Sequence, residues 1–123
     1  MKTLTKAEEQ VMQVLWDLKQ GFLKDIHENS PAPKPHTNTI ATLLKILIDK
    51  GFVDFETQGR NNLYRPKVGK AEYGKKSLQQ VVKSYFEGSP ARMVSQFLND
   101  NKLSTEDLEA LLKQIKSSKK TEQ

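Results

Sequence analysis

The chain has 123 residues, with 20 Lys and Arg against 15 Asp and Glu, a net charge of +5. It contains no cysteine, and 36% of its residues are hydrophobic. That length suits one ordinary domain, or a small domain with an appendage. No apolar run approaches the roughly 18 residues a membrane helix needs, and the start lacks the charged and apolar regions of a secretory signal. Without cysteine there is no disulfide framework, no Cys-ligated zinc and no thiol nucleophile, a composition suited to a reducing cytoplasm.

Residues 5–19 are predicted as a first helix. Thr5 is an N-cap with Glu8 three residues on, the pattern of a capping box. Val11, Met12, Leu15 and Trp16 form one apolar stripe, and Gly21 is expected to end the helix. Phe22, Leu23 and Ile26 suggest a short second helix near 22–29. It stops at Pro31, Pro33 and Pro35, which remove backbone donors and restrict the residue before each, so a stiff loop follows.

The third helix is expected to start at Thr37 or Asn38. Ile40, Leu43, Leu44, Leu47 and Ile48 recur at helical spacing, and Gly51 closes it behind Lys50. The period then changes from 3.6 to 2. Val53, Phe55 and Thr57 alternate with Asp54 and Glu56, which predicts a strand. Gln58 to Asn62 reads as a turn, and Leu63-Tyr64-Arg65 as a short return strand stopped by Pro66.

Beyond Pro66 every pattern is helical. Leu78, Val81, Val82, Tyr85 and Phe86 form a second long stripe, broken at Gly88-Ser89-Pro90. Met93, Val94, Phe97 and Leu98 form a shorter helix, ended by Asn99-Asp100-Asn101. Ser104 caps the last helix with Asp107, and Leu108, Leu111, Leu112 and Ile115 follow. The organisation expected is thus residues 1–70 as one compact unit, 71–116 as a helical region, and 117–123 as a polar, frayed tail. The helical region is too small to bury its own stripes, and a second copy of the chain is the expected cover. Leu78, Val81, Val82, Tyr85, Phe86, Phe97, Leu108, Leu111 and Leu112 are the residues assigned to that contact.

Catalytic and metal chemistry find little support. His27 and His36 are the two imidazoles, neither sits in a metalloprotease or triad signature, and the six glycines are scattered. No metal, cofactor or enzymatic activity is expected. Glu8-Glu9 and Glu106-Asp107 sit in helix first turns, where capping and the helix dipole account for them.

Nucleic acid fits better. Three helices and then a hairpin is the order of a winged helix-turn-helix, whose third helix enters the major groove. Opposite its apolar stripe, that helix carries Asn38, Thr39, Ala41, Thr42 and Lys45, which combine base-edge hydrogen bonding, close approach and one phosphate cation. Arg60 lies at the hairpin tip, followed by Arg65. From Thr57 to Lys76 six cations stand against Glu72, net +5, so this stretch holds the charge excess of the whole chain. Asn38, Thr39, Thr42, Lys45, Arg60 and Arg65 are the candidate DNA contacts. The alternative is a winged-helix module that binds protein, its basic hairpin serving solubility.

The same residues carry a resemblance. Leu4-Thr5-Lys6-Ala7-Glu8-Glu9-Gln10-Val11-Met12 leading to Leu15-Trp16, then Thr39-Ile40-Ala41-Thr42-Leu43-Leu44 with Leu47 and Lys50-Gly51, begin it. Gly59-Arg60 with Tyr64 and Pro66, Phe86-Glu87-Gly88-Ser89, and Leu103-Ser104-Thr105-Glu106-Asp107-Leu108 complete it. In this order and spacing the chain resembles the penicillinase-repressor (BlaI/MecI/CopY) family of transcriptional regulators over nearly its full length. The resemblance implies a cytoplasmic homodimer that represses transcription from a palindromic DNA operator. It also implies a membrane metallopeptidase sensor as partner, which in several members triggers cleavage of the repressor. The family's cleavage bond is Asn-Phe in the fifth helix, whereas this chain has Gln96-Phe97 there. The copper-responsive branch uses cysteine ligands, which this chain lacks, so copper sensing is set aside.

Overall fold

The computed structural model describes residues 2–100 and 102–122, with side-chain surroundings given up to Gln114. Asn101, the side chain of Ile115, and Gln123 lie outside the described residues. The order is α1 (Lys6–Leu18), α2 (Leu23–Glu28), α3 (Thr37–Asp49), β1 (Val53–Gln58), β2 (Asn61–Pro66), α4 (Lys70–Tyr85), α5 (Pro90–Asn99) and α6 (Thr105–Glu122). The chain separates into two compact units, Met1–Lys76 and Ser77–Gln123, so α4 contributes its first turns to one and its remainder to the other.

The first unit is a winged helix-turn-helix. Its core is Leu4, Val11, Met12, Val14, Leu15, Ile26, Ile40, Leu44, Leu47, Phe52 and Val53, the inward stripes of α1 to α3 closed by the start of β1. The Thr5–Glu8 capping box forms in both directions at 3.2 Å. Glu8 has a second role. It is buried, and its carboxylate receives Lys50 Nζ at 2.5 and 2.9 Å, tying the start of α1 to the end of α3. Burial alone raises the pKa of Glu8. The bonds and charge from Lys50 and the Thr5 N–H outweigh it, so the carboxyl titrates below its ordinary 4.5.

Three local expectations change. Gly21 does not end α1. Lys19 is the C-cap, with a φ of 72°, and Gly21 instead exchanges backbone bonds of 2.9 and 2.8 Å with Tyr64, a one-residue third strand beside the hairpin. A Cβ at Gly21 would lie 3.3 Å from Asp25 Cβ and Leu18 Cδ1, so a larger residue there would need those side chains to give by a few tenths of an ångström. Secondly, α3 is capped by neither Thr37 nor Asn38. His36 is the N-cap, its Nδ1 accepting the Asn38 N–H at 3.2 Å. Thirdly, the turn is shorter than predicted. Gln58 pairs with Asn61, so only Gly59 and Arg60 link the strands, and β2 takes in Asn61, Asn62 and Pro66. Gly59 has a φ of 65°, the left-handed first position of a type II′ hairpin, which favours glycine.

The first turns of α4 belong to this unit because Tyr73 packs there. Its ring meets Phe52 edge-on with centroids 5.5 Å apart, and its hydroxyl accepts the Leu4 N–H while donating to Glu9. Trp16 Nε1–H donates to Val68 O at 2.9 Å, anchoring the chain as it leaves the hairpin.

In the second unit α4 ends at Tyr85, which leaves Phe86 outside the helix although the sequence stripe runs through it to the Gly88-Ser89-Pro90 break, and Ser89 caps α5 by accepting the Arg92 N–H. Ser104 and Asp107 form a reciprocal cap at the start of α6. That helix continues to Glu122, through the stretch where the sequence predicts a tail. Val82 is the buried residue of this unit among those described. Leu78, Val81, Tyr85, Phe97, Leu111 and Leu112 are exposed, while Phe86 and Leu108 are half-buried. Leu78, Val82, Pro90 and Met93 line an apolar groove of about 320 Å³ between α4 and α5.

Candidate nucleic-acid interface

The interface is built on α3. Ile40, Leu44 and Leu47 are buried, with Leu43 and Ile48 packed beside them, so helical periodicity turns the other face outward. Asn38, Thr39, Thr42 and Lys45 are all exposed there, and Ala41 is half-buried at the edge. His36 consumes the Asn38 backbone N–H and leaves the Asn38 amide free to bond elsewhere. The Thr42 hydroxyl donates to Asn38 O at 3.0 Å, so it presents acceptor lone pairs and a methyl group outward. The face becomes apolar and acidic towards its C-terminal end, at the exposed Ile46 and Asp49. The hydrogen-bonding groups therefore sit in the N-terminal half, the part of a recognition helix that contacts base edges.

The hairpin supplies the second element. Arg60 projects from the two-residue turn and is exposed, with no ion-pair or hydrogen-bond partner among the described residues. The pairing register puts Phe55 opposite Tyr64, their rings 6.2 Å apart, on the side where Tyr64 packs against the core. Asp54, Glu56, Leu63 and Arg65 take the opposite face. There Arg65 is not free: its guanidinium donates to Glu56 at 2.8 Å. Lys67, Lys70, Lys75 and Lys76 are exposed beyond the hairpin. The predicted contacts thus divide into an α3 set, the tip Arg60, and an Arg65 already committed within the wing.

Gln96 and Phe97 are both exposed and lie inside the regular helix α5. No group of three or more His, Cys, Asp or Glu able to hold a metal occurs among the described residues. No helix among them is long and apolar enough to cross a membrane.

A family model described as penicillinase repressor matches residues 4–117. The chain belongs to the penicillinase repressor family. Among curated relatives, the penicillinase repressor of Bacillus licheniformis is 27% identical over 121 residues, covering 94% of this chain and 91% of that protein. The methicillin resistance regulatory protein MecI of Staphylococcus aureus strain N315 is 26% identical over 109 residues, 88% of this chain and 89% of its own. Of solved structures, the CopR repressor is 32% identical with a TM-score of 0.46, covering 53% of this chain and 96% of that one. A mutant MarR from E. coli aligns at 13% identity and a TM-score of 0.49, over 94% of this chain and 77% of that one. The penicillinase repressor match spans both units, so the helices after the wing are part of the family pattern rather than an unrelated extension.

Several residues that shape this interface have no sequence signal of their own. His36 sits in a proline-rich loop and gives no capping pattern that separates it from Thr37. Glu56 reads as the polar half of a strand alternation, and only the side-chain geometry shows that it holds Arg65, which the register places opposite Asp54.

Proposed function

We propose that this member of the family is a transcriptional repressor that binds a palindromic DNA operator as a homodimer. The observation that carries the reading is the exposed N-terminal half of α3. Asn38, Thr39 and Thr42 offer short donors and acceptors for base edges, and the unpaired Arg60 stands at the wing tip. Thr39, Thr42 and Asn38 read bases, while Lys45 and Arg60 hold phosphates and set register. The net +5 between Thr57 and Lys76 supports attraction to the DNA backbone.

The second unit provides the two-fold. Leu78, Val81, Tyr85, Phe97, Leu111 and Leu112 expose more apolar surface than about 45 residues can cover alone, and a second copy buries it. The half-buried Phe86 and Leu108 extend that seam, with Val82 already covered behind it. Two recognition helices joined in this way match operator half-sites about one DNA turn apart. Gln96–Phe97 within α5 departs from the Asn-Phe bond of the family; a cut there would remove α6 from the chain and lose the benefit of divalent binding. The chain itself acts without cofactor or catalysis, in the compartment that holds the DNA.

The reading is tested by titrating the full chain onto labelled duplex DNA at increasing salt. A log affinity that falls linearly with log salt, by about 0.9 per phosphate neutralised, is expected. No binding to any duplex at low salt would favour the protein-binding alternative.

A further inference from the structure

We infer that Glu56 is a positioning residue that sets DNA affinity by holding Arg65 away from phosphate. The inference rests on the DNA-binding reading above and concerns the outer face of the wing. By register that face carries Gln58 and Asn61 near the tip, then Glu56 and Leu63, then Asp54 and Arg65 at the base. Asp54 turns its carboxylate onto the Phe55 N–H at 2.8 Å. Glu56 is therefore the acceptor for Arg65, and the guanidinium leans towards the tip to reach it at 2.8 Å.

The pairing is incomplete on the arginine side. One terminal nitrogen donates to one carboxylate oxygen, while the buried Nε–H has no hydrogen-bond partner among the described residues. A bidentate fork, the geometry arginine offers to carboxylate or phosphate, is not formed. Both partners are substantially exposed, at 41% and 58%. Exposed pairs of this kind are weak and exchangeable. A DNA phosphate approaching the wing meets the same chemistry as the Glu56 carboxylate and competes with it for one guanidinium. With Glu56 in place, the face presents Asp54, Glu56 and Arg65, a net negative charge beside the positive tip. With Glu56 neutralised, the same arginine becomes one further phosphate contact.

The effect is independent of sequence, because a phosphate carries no base identity. It tunes how strongly the chain holds DNA in general while α3 keeps the discrimination. Wild-type Arg65 thus contributes little to affinity, although it lies in the basic stretch.

The test uses the full chain and a labelled random-sequence duplex, with affinity measured across a salt series for wild type, Glu56→Gln, Arg65→Gln and the double variant. Glu56→Gln is expected to tighten binding roughly two- to fivefold and to steepen the salt slope by about 0.9. Arg65→Gln alone is expected to change little. In the double variant the gain should vanish, and Arg65→Lys combined with Glu56→Gln should keep part of it. Trp16 fluorescence of each variant confirms that the winged unit is folded. An equal gain with and without Arg65 would show simple repulsion by Glu56 and overturn the inference, as would no gain at all. Failure of the wild type itself to bind any duplex would overturn the DNA-binding reading, whereas normal wild-type binding with an unchanged Glu56→Gln would remove only the role of Glu56.

Discussion

Replacing Lys50 with methionine isolates the buried ion pair of the winged unit. Lys50 Nζ lies 2.5 and 2.9 Å from the Glu8 oxygens and 3.1 Å from Thr3 O, and Glu8 is 2% exposed. Removing one partner of a fully buried pair costs about 3–5 kcal/mol, because the remaining charge is left without compensation. The Lys50 side chain is 21% exposed, so water replaces part of the ammonium and the expected loss falls to about 2–3 kcal/mol. For a unit of this size that corresponds to a fall of roughly 10–20 °C in Tm. Urea unfolding followed by Trp16 fluorescence reads it directly, since the indole is half-buried against Val68 and Tyr73. Adding Glu8→Gln to Lys50→Met should recover at least half of the loss, because the amide oxygen can still accept the Thr5 N–H.

The pH dependence gives this prediction a second edge. The Glu8 carboxyl titrates below 4.5 in the folded chain, so its contribution is present above that value and is lost as pH falls through the lower folded value. In Lys50→Met the same carboxyl is buried without a cation, its pKa rises, and stability instead improves as pH falls from neutral. The gap between wild type and variant should therefore narrow in acid. A gap under about 0.5 kcal/mol at neutral pH, or one that stays constant towards pH 4, would overturn this assignment of the pair.

Arg60→Ala should weaken binding to operator and random DNA by the same factor and reduce the salt slope by about 0.9, read by anisotropy across a salt series. Thr42→Ala should instead change sequence preference, costing about 1–3 kcal/mol on the preferred site and almost nothing on random duplex. A fragment ending at Lys76 should be folded and monomeric in sedimentation, whereas one ending at Lys70 loses Tyr73 and should unfold several degrees lower. In the full chain, Leu78→Glu should abolish the proposed self-association by placing an unpaired charge in the contact, with the Trp16 signal of the winged unit unchanged.

What the sequence makes legible here is local. The α3 stripe from Ile40 to Ile48 and the reciprocal cap at Thr5 and Glu8 are both encoded within a few residues, and both form. The Lys50 partner of Glu8 stands 42 residues away, and no short-range pattern links the two. Gly21 reads as a helix stop, yet its backbone pairs with Tyr64, a contact fixed by tertiary packing. The turn reads too long because Asn61 and Asn62 have turn-like chemistry, while pairing across Gly59-Arg60 carries them into β2. Tyr73 belongs to a charged stretch with no periodic apolar partner, so its role in closing the first unit emerges only when Phe52 and Trp16 are brought beside it. The candidate interface follows the same division. Exposure of Asn38, Thr39 and Thr42 follows from the buried stripe behind them, whereas the capture of Arg65 by Glu56 depends on the strand pairing and on Asp54 turning to the Phe55 N–H.

The proposed function stands on two copies of this chain reading DNA through α3. Selection of bound duplexes from a random pool by the full chain tests both halves of that statement at once. The expected result is enrichment of an inverted repeat with half-site centres about 10 base pairs apart or a multiple of that. Enrichment of a single asymmetric site would rule out the dimer, and recovery of a pool no different from the input would rule out sequence-specific DNA recognition itself.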